Sequence, residues 1–69
     1  MMAWNDLPHH ERQELRQRLT QKQLDVLILW HAGLGYQKIA DGLGVSVRTV
    51  RTHLARARQI HDRITQEAA

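Results

Sequence analysis

Apolar positions along this chain recur at helical spacing, and Val, Ile and Thr never alternate over a length that would make a strand. Four helices are predicted. The first starts near Leu7-Pro8, with Asn5 or Asp6 as cap, and carries a sparse stripe of Leu7, Leu15 and Leu19. Glu11 stands in that stripe where another apolar residue is expected. The second helix opens on Thr20 with Gln23 three residues later, a capping-box pattern. Leu24, Val26, Leu27, Ile28, Leu29 and Trp30 follow and cover nearly the whole circumference, as befits a central core helix, and Gly33 suits the position after its end. A third, short helix runs from Tyr36 to Leu43 with Ile39, Ala40 and Leu43 on one side, and Gly44 stops it. Gly42 inside it costs about 1 kcal/mol relative to alanine if exposed.

The fourth helix begins at Ser46, a good N-cap residue. At 100° per residue, Val47, His53, Leu54, Ala57, His61 and Ile64 fall within about 60° of Val50. Arg48, Thr52, Ala55, Gln59 and Arg63 fall opposite, with Arg51 and Arg58 on one flank and Thr49 and Arg56 on the other. One face packs. The other is basic, with small residues that let a backbone come close to a partner.

Charge sharpens this picture. Residues 1–45 are balanced, five Lys/Arg against five Asp/Glu, whereas residues 46–69 hold five arginines against Asp62 and Glu67. The whole excess of +3 therefore sits on the fourth helix. Arginine presents a planar fork suited to phosphate and to guanine edges. Composition removes other classes. With 69 residues and no cysteine there is neither a disulfide framework nor a Cys-based zinc site, and little scaffold for an enzyme pocket, so no enzyme is expected. No apolar run is long enough to span a membrane, and Met1-Met2-Ala3-Trp4-Asn5-Asp6 lacks the features of a signal peptide, so a cytoplasmic protein is expected.

The third and fourth helices joined by a tight glycine turn form a helix-turn-helix candidate over residues 36–55. Ala40 is the small residue where the helices cross, Gly44 the residue tolerant of positive φ, and Val50 the branched anchor. Ile39, Leu43, Val45 and Leu54 fill the wedge. The stretch Leu19-Thr20-x6-Leu27-x-Leu29-x3-Gly33-Leu34-x4-Ile39-Ala40-x2-Leu43-x2-Ser46-x2-Thr49-Val50-x-Thr52-His53-Leu54 resembles a LuxR-type DNA-binding domain. Gly33-Leu34-Gly35-Tyr36-x2-Ile39-Ala40 and Arg56-Ala57-Arg58 resemble the fourth conserved region of bacterial sigma factors. Both resemblances imply an all-α, compact four-helix domain of the tetra-helical helix-turn-helix kind, with residues 1–69 forming one domain: a helical extension at 1–19 and the family-like core at 20–60. Gly35 replaces the families' usual Ser, removing a side-chain cap, and Arg48 replaces a frequent Gly, adding a candidate base reader.

In such a domain the fourth helix enters the major groove N-terminus first while the third crosses the backbone. Arg48 is then the first candidate for a bidentate guanine contact, with Thr49, Arg51 and Thr52 beside it. Arg56 and Arg58, further along, and His53 are candidates for phosphate, as are Tyr36, Gln37 and Lys38 at the opening of the third helix. The five histidines show no Cys or carboxylate at ligand spacing, so no metal and no cofactor is expected.

Double-stranded DNA is the expected partner, read by a small, sequence-specific transcriptional regulator of bacterial or phage origin, either standing alone or excised from something longer. The alternatives are a sigma-like module contacting promoter DNA and RNA polymerase together, and an interaction module of the same fold acting as an adaptor or inhibitor of transcription. Two surfaces are candidates for a homodimer: the last helix, and the Leu24/Ile28 face of the second. That face is otherwise expected to be covered by the first helix with Leu15, Leu19 and Trp4.

Overall fold

A computed structural model describes residues 3–68. A 3-10 turn at Trp4–Asp6 leads into four helices, α1 (His9–Arg18), α2 (Gln21–His31), α3 (Tyr36–Leu43) and α4 (Val47–Ala68), and among the described residues there is no strand. The fold is all-α.

Two of the helix starts follow from side-chain caps written in the sequence. At α2 the capping box is complete: the Thr20 hydroxyl accepts the Gln23 amide at 3.2 Å, and the Gln23 side chain accepts the Thr20 amide at 3.1 Å. At α4 the Ser46 hydroxyl accepts the Thr49 amide at 3.0 Å. At α3 the cap position falls on Gly35, which has no side chain to offer, as the missing Ser implied. Two glycines end helices in the left-handed region: Gly33 after α2 at φ 93°, and Gly44 at the end of α3 at φ 68°. The Gly44 turn is closed by the Val45 amide donating to the Ala40 carbonyl at 3.0 Å.

The start of α1 corrects an expectation. Neither Asn5 nor Asp6 caps it; both lie in the 3-10 turn, and Pro8 occupies the cap position without a side-chain bond. The cause is the Leu7-Pro8 pair. Proline forces the residue before it out of the helical region, and Leu7 is extended at φ −69°, ψ 146°. Being extended, Leu7 turns into the core instead of joining the helix.

α4 is the spine. Its 22 residues span about 33 Å at helical rise, close to the 35 Å long axis of the molecule. The other three helices all pack against it. The common core contains the fully buried Leu15, Val26, Leu27, Ile39, Val50 and Ala57, with Leu54 and Ile64 extending it along α4. All three apolar positions of the N-terminal stripe, Leu7, Leu15 and Leu19, are buried. On α2, Leu24 is buried and Ile28 is half-buried against the core, as Trp4 is. The Leu24/Ile28 face is therefore largely covered within one chain.

Polar contacts fasten α1 to the C-terminal half of α4. Glu11 Oε1 lies 2.7 Å from His61 Nε2, with side chains only 13% and 18% exposed. The Arg18 guanidinium bridges Glu14 and Glu67, each at 2.9 Å. Glu11 sits at an apolar-stripe position of α1 because its partner on the packed face of α4 is a histidine. Among the described residues, no helix is long and apolar enough to cross a membrane, and no group of three or more His, Cys, Asp or Glu could hold a metal ion.

Candidate nucleic-acid interface

The α3–turn–α4 unit is assembled from buried small and branched residues. Ile39 and Val50 are fully buried, Ala40 and Leu54 nearly so, and Leu43 and Val45 half-buried around them. A side chain larger than Ala40 would push the two helices apart. Gly44 provides the reversal that a residue with a Cβ adopts only under strain. This packing turns one face of α4 inward and leaves the opposite face bare.

The bare face is cationic. Between Ser46 and His61 there are four arginines and no carboxylate. Arg48, Arg51, Thr52, Arg56 and Arg58 are exposed, and Ala55 lies exposed among them. Among the described residues, the acidic groups in ion pairs are Glu11, Glu14 and Glu67, all at the α1 end. At the helix-turn-helix end Lys38 and the four arginines outnumber the lone carboxylate of Asp41, and a cationic surface of this kind draws in phosphate.

Arg48 projects from the first turn of α4, directly away from the core. Thr52 is exposed and donates its hydroxyl to the Arg48 carbonyl at 3.1 Å, which keeps the side chain close to the helix. Thr49 differs from its neighbours. It is half-buried, and its hydroxyl oxygen accepts from Ser46 at 2.9 Å, so it belongs to the cap as much as to the surface. His53 is half-buried at the edge of the packed face. Arg56 donates to Gln59 at 3.3 Å.

Tyr36, Gln37 and Lys38 are all exposed at the start of α3, where the first backbone amides have no side-chain acceptor. Gln37 donates to Asp41 at 2.9 Å, one turn further along. The Tyr36 ring lies under the Arg51 guanidinium, with Cζ 5.4 Å from the ring centroid. The structure thus brings the opening of α3 and the flank of α4 onto one continuous surface.

Two features of the structure escaped sequence reasoning. The first is Trp30, whose ring lies 4.9 Å from Arg58 Cζ. The second is the Glu11–His61 pair. A signal for the pair exists in the sequence: each residue is a polar intruder on a largely apolar helical stripe, and two such intruders can satisfy each other. No comparable signal exists for Trp30, because its meeting with Arg58 depends on how α2 crosses α4.

A helix-turn-helix whose second helix presents exposed arginines and no carboxylate from Ser46 to His61 is the mark of a DNA-binding class of protein. Residues 13–60, more than two thirds of the chain, match the family model for sigma-70, region 4. The chain belongs to the sigma-70 region 4 family, a helix-turn-helix family of DNA-binding domains. No curated protein and no solved structure matches it significantly. The match begins inside α1, six residues before the Leu19 at which the sequence resemblance starts.

Proposed function

We propose that this protein binds double-stranded DNA sequence-specifically, inserting the N-terminal half of α4 into the major groove, and acts as a small transcriptional regulator. The observation that carries the proposal is the run from Ser46 to His61, in which every arginine is exposed and no acidic residue occurs. Arg48 and Arg51 read base edges, with Thr52 and the methyl of Thr49 beside them. Tyr36, Gln37 and Lys38 hold phosphate at the opening of α3, and His53, Arg56 and Arg58 hold it along α4. The protein works in the cytoplasm of a bacterium, encoded by the cell or by a phage.

One chain is the binding unit in this proposal. Pairing through the last helix, which the LuxR-type resemblance implies, needs a free C-terminal half of α4. Here Ile64 is buried and His61 and Glu67 are engaged by α1. A monomer on an asymmetric site is therefore the form proposed.

The family match favours a second reading, in which the same domain contacts RNA polymerase while bound to promoter DNA.

Selection of bound sequences from a random duplex pool tests the proposal. A single asymmetric site is expected. Inverted half-sites would point to a dimer. Retention without sequence preference would remove the specific regulator. No retention at all would leave a helix-turn-helix module that binds protein.

A further inference from the structure

We propose that Trp30 is a positioning residue for DNA binding, holding the Arg58 guanidinium in place for a phosphate; this rests on the DNA-binding role proposed above for Arg58. Trp30 stands in the last turn of α2, half-buried and packed against the core, so its indole is a fixed platform. The chain turns away immediately after it through Gly33, at φ 93°, and the notch lined by Trp30, Gly33, Leu34, Gly35 and Tyr36 stays open to solvent.

Arg58 reaches this platform from α4, with Cζ 4.9 Å from the ring centroid. Among the described residues no carboxylate pairs with it. A guanidinium is attracted to a ring through its face, while its N–H donors point along its edges. Contact with the ring therefore restricts the long side chain without an acceptor occupying its hydrogen-bond donors. A phosphate arriving at the edge meets an arginine already ordered, and the rotamer entropy lost on binding is smaller. The arrangement repeats seven residues earlier, where Arg51 lies over Tyr36, about 10 Å along the same flank of α4. Two arginines on aromatic platforms thus line the edge of α4 that faces the α2–α3 turn.

A double-mutant cycle on the full chain tests this, with a labelled mixed-sequence duplex as probe and affinity measured across a salt series. Arg58→Ala is expected to weaken binding and to reduce the slope of log K against log salt by about 0.9, one phosphate contact. Trp30→Leu fills the space without an aromatic face, and is expected to weaken binding about two- to five-fold, the size of an exposed cation–π contact. In the Arg58→Ala background it should have no further effect, and Trp30→Phe should keep most of the affinity. A purely structural Trp30 would weaken binding equally in both backgrounds, and that result overturns the proposal, as does a Trp30→Leu protein that binds like the parent. If Arg58→Ala leaves affinity and slope unchanged, the phosphate role of Arg58 fails first and the positioning role with it. Thermal melting followed by circular dichroism confirms that each variant folds. If Trp30→Leu does not fold, acrylamide quenching of Trp30 emission in a Trp4→Phe chain without DNA replaces it: with Arg58 over the ring the quenching is expected to be weaker than in the Arg58→Ala form, and equal quenching overturns the proposal.

Discussion

Gly42 and Gly44 are two residues apart and in opposite circumstances. Gly44 holds φ 68°, and a Cβ added there would meet nothing within 4 Å, so the penalty for a side chain is purely one of backbone conformation. Gly44→Ala is expected to destabilise the fold by about 1–2 kcal/mol, read from the urea midpoint. Gly42 is helical, exposed and equally unobstructed. Gly42→Ala should stabilise by about 0.5–1 kcal/mol in the same assay. At this scale much was legible in the sequence. Ala40, Gly44 and Val50 occupy their expected places because each meets a demand set by local geometry: a close crossing, a positive φ and a buried branch. Thr49 was less so. A threonine three residues after a serine cap has its hydroxyl drawn into the cap, which leaves mainly its methyl for a base.

At the scale of elements, the boundaries of α2, the end of α3 and the start of α4 were readable because the caps of Thr20 and Ser46 and the left-handed Gly33 and Gly44 act within a few residues. The start of α1 was missed because Leu7, extended ahead of Pro8, goes into the core. How α1 is held was not readable either, since it depends on contacts some fifty residues apart in sequence. Its apolar anchor is Leu15, fully buried. Leu15→Ala is expected to cost about 2–5 kcal/mol, with α1 and the rest melting in one transition by circular dichroism.

The polar clasp at the end of α1 adds a pH dependence of definite sign. The hydrogen bond from Arg18 holds the Glu67 carboxyl below its ordinary value. A carboxyl whose folded value is depressed contributes stability above its unfolded value and loses it as the pH falls through the folded one. The melting temperature of the native chain should therefore exceed that of Glu67→Gln at neutral pH and converge with it in acid. Both side chains are exposed, so the difference is small and shrinks with added salt.

At the scale of the molecule, the division of labour runs along α4. Its C-terminal half is claimed by α1 through Glu11, Arg18 and the apolar stripe. Its N-terminal half projects from the helix-turn-helix with arginines that no acid neutralises. The even charge of residues 1–45 and the excess beyond them already indicated this polarity in the sequence. What the sequence left open was whether the thin core of so short a chain closes on itself, and the burial of Leu7, Leu15, Leu19 and Leu24 closes it. Sedimentation at tens of micromolar should accordingly find a monomer; a stable dimer would mean that some face of α2 or α4 is shared between copies.

Major-groove reading by α4 is tested most directly at Arg48. Its affinity contribution is measured by titrating the native and Arg48→Ala proteins against the duplex recovered by selection, at physiological salt, and against duplexes altered one base pair at a time. A ten- to hundred-fold loss is expected, about 1–3 kcal/mol, together with relaxed preference at one guanine position. Unchanged affinity and unchanged base preference would contradict it.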